Sequence, residues 1–227
     1  RQAPGKKQQR RILITGNPRS GSHSYARAMK ELGIDAPHEH MGSEGTVSCF
    51  FFFPSVFVPL SENTLHYPGV KDYYDPDRQF PEMFQDYEFE FKVHLVRDPR
   101  RCMRSMAGSI GPLHQKRCMY PGLAPYRKTA KKRPDKVLPT VHTWFNTNQL
   151  IEEYADLRVR IEDGAKGLRK VAALAGFEVP RGYNMPHVSK KVVESQRYEP
   201  YTWDDFMEAD PEMGAKIKQM AKRYGYK

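Results

Sequence analysis

The sequence predicts an α/β fold: a parallel sheet flanked by helices, with long irregular insertions. Three observations predict it. Short β-branched or alternating apolar runs recur along the chain, helical periodicities separate them, and Gly or Asp-Pro punctuation marks the junctions. Strands that alternate with helices must run parallel, because each helix carries the chain back along the sheet.

Taken in order, Ile12 to Thr15 is an apolar run that stops at Gly16-Asn17-Pro18, the pattern of a buried strand. Tyr25, Ala28, Met29 and Leu32 follow at helical spacing, and Gly33 closes that helix. Phe91, Val93 and Leu95 alternate with Lys92 and His94 as a second strand. Asp98-Pro99 then reads as an N-cap followed by proline in the first helical position, with Cys102, Met103 and Met106 on one face. Val141, Trp144, Phe145 and Ile151 suit a longer helix. Leu157, Val159 and Ile161 alternate with arginines as another strand. Leu168, Val171, Ala172 and Ala175 give a helix ended by Gly176. The last helix runs from Asp210-Pro211 through Met213, Ile217, Met220 and Tyr224 to Gly225.

The expected organisation is a basic N-terminal arm, residues 1–11, and one α/β domain, residues 12–227. Two insertions interrupt the domain at about 42–90 and 108–139. The first holds the Phe50 to Phe53 run with many tyrosines and prolines; the second is rich in Gly, Pro, Lys and Arg. Composition excludes whole classes. At 39% hydrophobic and 28% charged residues the chain is not a disordered tail, and its apolar runs, such as Cys49 to Phe53, are too short to cross a bilayer. No signal-peptide pattern opens it. Cys49, Cys102 and Cys118 cannot form a full set of disulfides and have no metal-ligand spacing, which favours a reducing, cytoplasmic setting without a metal site. A trimmed membrane-anchored or secretory form stays open. The net charge of +10 attracts polyanions: nucleic acid, acidic lipid, phosphorylated cofactors or acidic substrates.

Chemistry concentrates in two places. Gly16-Asn17-Pro18-Arg19-Ser20-Gly21-Ser22-His23 joins the first strand to the first helix, where backbone N–H groups and the helix dipole cradle a phosphate. Arg19, Ser20 and Ser22 add side-chain donors, and Gly21 permits close approach. The loop departs from the ATP-binding pattern G-x-x-x-x-G-K-[ST], because after Gly21 come Ser22 and His23, with no lysine in the required place. The second place is Val96-Arg97-Asp98-Pro99-Arg100 at the end of the second strand. A helix from Pro99 brings Ser105 within two turns, so Arg97 and Ser105 are expected to reach a second phosphate.

These residues resemble the sulfotransferases that use 3′-phosphoadenosine 5′-phosphosulfate (PAPS). Pro18-Arg19-Ser20-Gly21-Ser22 is similar to their 5′-phosphosulfate loop P-[KR]-S-G-[ST]. Arg97-Asp98-Pro99 with Ser105 is similar to their 3′-phosphate motif. Leu157 to Asp163 looks like the family's strand ending in Glu-Asp, Tyr224-Gly225-Tyr226 like its C-terminal helix end, and Pro37-His38-Glu39-His40-Met41-Gly42 like a motif of bacterial and viral-type members. Arg19 stands where tyrosylprotein sulfotransferases and many bacterial members carry arginine. Ser24 stands where cytosolic members carry an adenine-stacking tryptophan. Ser189, Lys190 and Lys191 weakly match a late basic loop that touches the 3′-phosphate.

The resemblance implies a P-loop-NTPase-like fold and in-line transfer of a sulfuryl group from PAPS to an acceptor hydroxyl or amine, leaving adenosine 3′,5′-bisphosphate. It implies that Pro18, Arg19, Ser20, Gly21, Ser22, His23, Arg97, Ser105, Ser189 and Lys190 hold the cofactor. It favours Glu39 as catalytic base beside Arg19, with His38 and His40 as alternatives and His94 a weaker one. The acceptor class stays open among sugars, phenols and peptides, and no nucleic acid is required. Two other functions remain. A small-molecule or nucleotide kinase on the same fold would need Mg²⁺ and the missing loop lysine. A polyanion-binding module would bind DNA, RNA or heparin with steep salt dependence and no nucleotide preference.

Overall fold

The computed structural model describes residues 7–49, 87–109, 133–186 and 199–227. The chain order is β1 (Gln8–Gly16), α1 (Ser22–Glu31), β2 (Gly45–Val47), β3 (Tyr87–Val96), α2 (Pro99–Ser109), α3 (Arg133–Glu152), β4 (Leu157–Arg160), α4 (Gly164–Ala175), α5 (Trp203–Ala209) and α6 (Pro211–Arg223). A 3₁₀ turn, Ile161–Asp163, joins β4 to α4. The sheet order is β2-β1-β3-β4 and every neighbouring pair is parallel. This is the α/β sheet flanked by helices that the strand–helix alternation requires.

The two faces of the sheet carry different covers. Ile12, Ile14, Val93, Leu95 and Val159 pack against Tyr25, Ala28 and Met29 of α1 and Leu168, Val171 and Ala175 of α4. On the opposite face Leu13 meets Ile151 of α3, and His94 lies 2.8 Å from Asn148 Oδ1 of the same helix. Beyond it, α2, α3, α5 and α6 enclose a second core around Met103, Met106, Val141, Trp144, Phe206, Ile217 and Met220. Each of these large side chains is almost fully buried, a burial that contributes roughly 1.5–3 kcal/mol apiece. Leu95 belongs to the first of these cores and Val96, the last residue of β3, to the second, so the turn after β3 starts from packed side chains.

Several boundaries differ from the sequence expectation. β1 starts at Gln8, inside the segment read as a basic arm: Arg10 pairs with Phe89 and stacks 4.9 Å over the Tyr87 ring, while Arg11 lies 3.6 Å from Glu44. Main-chain pairing and stacked guanidinium groups carry the strand past the point where hydrophobic patterning ends. The first insertion contributes the short strand β2 and the opening residues of β3, Tyr87 to Glu90. The second is shortened because α3 begins at Arg133, with Pro134 tolerated in the first turn. Ile161 lies in the 3₁₀ turn instead of the strand. Helix α5 has no counterpart in the sequence reading. It starts at a capping box, in which Asp205 N–H donates to the Thr202 hydroxyl and the Asp205 carboxylate accepts from Thr202 N–H. The rest of both insertions lies outside the described residues.

Candidate functional site

The β1–α1 loop is built around a left-handed residue. Arg19 has φ 71°, a conformation that costs a non-glycine residue about 1–3 kcal/mol and persists only where neighbours hold it. Arg97 is one such neighbour, its Nη1 donating to the Arg19 carbonyl at 3.0 Å. The Arg19 side chain turns to the helix after β3, where Nε donates to Ser105 Oγ at 3.0 Å. Cys102 Sγ donates to the Pro18 carbonyl at 3.4 Å, and Asn17 Nδ2 donates to the Trp144 carbonyl at 3.1 Å. Burial pushes the Cys102 thiol up to about 12, so it acts as a packed donor, not a nucleophile. The two arginine motifs therefore form one cluster, in which Ser105 is bridged to Arg97 through Arg19.

Helix α1 opens this cluster to an anion. Its N-cap, Gly21, has φ 105° and offers no side-chain cap, and the first turn contains no acidic residue. Ser24 N and Tyr25 N donate to the Gly21 carbonyl at 3.0 and 3.3 Å, which leaves the amides of Ser22 and His23 without an acceptor inside the helix. A side chain on Gly21 would also collide with Ile161 Cδ1 at 2.6 Å, so glycine is required twice over. Ser20 Oγ is buried and has no hydrogen-bond partner among the described residues. An unsatisfied hydroxyl, free amides and two guanidinium groups together make a donor set suited to a phosphate or sulfate.

Beside it lies a second cluster of opposite character. Glu39 also has a left-handed backbone, φ 57°, and Arg19 and Glu39 are the only non-glycine residues with positive φ among the described residues. The Glu39 carboxylate accepts from Ser48 Oγ at 2.8 Å and from Cys49 N and Sγ, both at 3.3 Å. His38 Nε2 lies 2.9 Å from Ser22 Oγ and 3.3 Å from Glu39 Oε1, and the His38 ring stacks on His23 with centroids 3.7 Å apart. Burial, with the neighbouring His23 and His40, lowers His38 to about 3, so the imidazole is neutral. Burial and then the Arg19 charge lower His23 as well. For Glu39 burial acts in the other direction and raises the carboxyl, against the donors Ser48 and Cys49 that favour its charged form.

Neither a family model nor a curated protein matches this chain. Solved structures do. One is the sulfotransferase domain of the Synechococcus PCC 7002 olefin synthase, with 13% identity and a TM-score of 0.46, covering 100% of this chain and 98% of that one.

Of the residues singled out from the sequence, Pro18, Arg19, Ser20, Gly21, Ser22, His23, Arg97 and Ser105 converge at the carboxyl edge of β1 and β3. His38 and Glu39 join them through Ser22. His40 is exposed. His94 is 0% exposed and turned into the core, where burial holds it down to about 4 despite the Asn148 hydrogen bond. Ser24 is buried on α1. Ser189, Lys190 and Lys191, together with the Phe50 to Phe53 run and Cys118, lie outside the described residues. Three participants escaped the sequence reading. Ser48 and Cys49 hold Glu39, and Glu162 accepts from Asp98 N–H at 3.1 Å, directly beside Arg97. Each is an ordinary residue whose role depends on a strand pairing or a turn, and no local pattern marks it.

Proposed function

We propose that this chain is a sulfotransferase that uses PAPS to sulfate an acceptor hydroxyl or amine. The observation that carries the reading is the convergence of Arg19, Arg97 and Ser105 on the uncapped N-terminus of α1, with the Glu39–His38 pair alongside. Bound there, PAPS would supply an activated sulfuryl group for in-line displacement.

The chain's own residues account for the remaining work. Arg19, the loop amides and Ser20 would hold the 5′-terminal anion and stabilise charge building on the departing phosphate, the largest electrostatic contribution to such a transfer. Arg97 would distinguish a 3′-phosphate from a bare hydroxyl. Glu39 is the base we favour over His38. The same burial that weakens His38 as a proton acceptor strengthens Glu39, and the His38 contact fixes the orientation of the carboxylate. The acceptor is a sugar, phenol or peptide, and the net charge of +10 suits an acidic one.

A transfer assay tests the reading. The chain is incubated with PAPS and a panel of phenols, sugars and tyrosine peptides in excess EDTA, and release of adenosine 3′,5′-bisphosphate is followed. Acceptor-dependent release in EDTA is expected, since Arg19, Arg97 and the amides supply the positive charge. A strict need for Mg²⁺, or turnover of ATP instead of PAPS, moves the chain to the kinase alternative.

A further inference from the structure

The carboxyl ends of β3 and β4 are tied to the C-terminus of the chain through one carboxylate. Glu162, in the 3₁₀ turn after β4, accepts from Asp98 N–H at 3.1 Å with Oε1 and from the Tyr226 hydroxyl at 2.8 Å with Oε2. Asp98 is the residue after Arg97 and caps α2 by accepting from Arg100 N at 2.9 Å. The far side of the tie is equally fixed. Arg160 Nη1 donates to the Gly225 carbonyl at 3.1 Å, its Nη2 lies 2.6 Å from Asp163 Oδ1, and its guanidinium faces the Tyr226 ring at 5.7 Å. Tyr226 itself is only 9% exposed and packs into the core of α2, α3 and α6, and burial beside Glu162 raises its phenol so that it keeps its proton.

We infer that Glu162, held by Tyr226, is a positioning residue for Arg97. Its two oxygens are both committed, one to the main chain that carries Arg97 and one to an anchor in the core. The peptide at Asp98 therefore cannot shift without breaking a hydrogen bond on either side. Arg97 in turn holds the strained Arg19 carbonyl. The turn after β3 thus receives its rigidity from the last residues of the chain, although neither Glu162 nor Tyr226 touches the anion cluster. Misplacing a group such as the Arg97 guanidinium by about 1 Å costs up to about 10²-fold.

This inference rests on the proposed sulfotransferase reading, in which Arg97 meets the 3′-phosphate. The test is calorimetric titration of adenosine 3′,5′-bisphosphate and of AMP into the full chain and into Glu162→Ala, Glu162→Gln and Tyr226→Phe, with the melting temperature of each. Glu162→Ala is expected to weaken the bisphosphate about tenfold, the equivalent of one lost hydrogen bond, and to leave AMP unchanged. Glu162→Gln restores affinity, because its amide oxygen accepts from Asp98 and its amide nitrogen donates to the phenol oxygen. Tyr226→Phe, which removes one oxygen from the core, falls between them and decides the matter should Glu162→Ala not fold. An unchanged bisphosphate-to-AMP ratio in the folded variants, whatever their melting temperatures, would show that Glu162 merely stabilises the fold. A glutamine variant as weak as the alanine one would likewise overturn a geometric role. If the wild-type chain itself fails to prefer the bisphosphate, the sulfotransferase reading falls first and this inference with it.

Discussion

Arg19 and Glu39 share a strained backbone conformation but are supported in opposite ways. Arg19 is braced by residues of its own two motifs: Arg97 holds its carbonyl and Ser105 receives its side chain. Glu39 is braced by a strand that belongs to neither. Its N–H donates to the Val47 carbonyl at 3.1 Å, and the residues just after β2, Ser48 and Cys49, grip its carboxylate. The difference separates two tasks. A permanently charged guanidinium needs placement only, whereas a carboxylate proposed to take up a proton also needs its basicity set by burial. Strain at both positions marks the places where the surrounding structure overrides local preference.

Glu39→Gln should give the largest effect, because it removes the basicity and keeps the shape. Turnover should fall roughly 10²–10⁴-fold while bisphosphate affinity stays near wild type, read from kcat and a separate titration. Near-normal turnover in this variant, with loss in His38→Ala, would transfer the base to the imidazole and reverse the comparison.

Acidification should sharpen the contrast between the neutral histidines and the arginines. His38 and His94 titrate at about 3 and about 4 in the folded chain, against an ordinary value near 6.5. Depressed histidines contribute stability that is full above pH 6.5. It is lost as pH falls toward their folded values, because the unfolded chain takes up protons that the folded chain refuses. For His94 the loss by pH 5 is on the order of 2 kcal/mol. Thermal unfolding from pH 7.5 to 4.5 should show this slope, and His94→Gln should flatten it. An unaltered slope would remove His94 from the account.

Thr202→Ala probes a helix that meets the Arg97 turn through Arg100, whose guanidinium lies 5.0 Å over the Trp203 ring. Losing the capping box of α5 should cost about 1 kcal/mol in a urea titration. Ligand affinity should change much less than stability, since the capping box joins only Thr202 and Asp205 and α5 packs chiefly on the second core.

The same asymmetry governs what could be read without a structure. The sheet, the loop and the Arg97 turn were legible because each is encoded locally: apolar alternation for β3, Gly-rich punctuation after β1, Asp-Pro at the start of α2. Glu39 was a candidate by resemblance, but its support was hidden. β2 is three residues long and too short for any periodicity, and Ser48 and Cys49 acquire their role only when Val47 pairs with Ile14. Arg10 and Arg11 fall in the basic arm of the sequence analysis because charge masks a strand whose pairing is carried by the main chain. Glu162 looked like part of a strand end, while its link to Asp98 spans 64 positions and to Tyr226 another 64. Local physics writes elements into the sequence; couplings across the sheet edge are written only in the fold.

In the proposed function Arg97 and the α1 N-terminus form a site for two anionic groups on one nucleotide. The most direct measurement is thermal unfolding of the wild-type chain and Arg97→Ala with adenosine 3′,5′-bisphosphate or AMP. At a ligand concentration of ~100 times Kd the bisphosphate should stabilise the wild-type chain by about 2.7 kcal/mol, well above AMP at the same concentration, and Arg97→Ala should erase most of that margin. Equal stabilisation by the two nucleotides, or a margin that survives in Arg97→Ala, would contradict it.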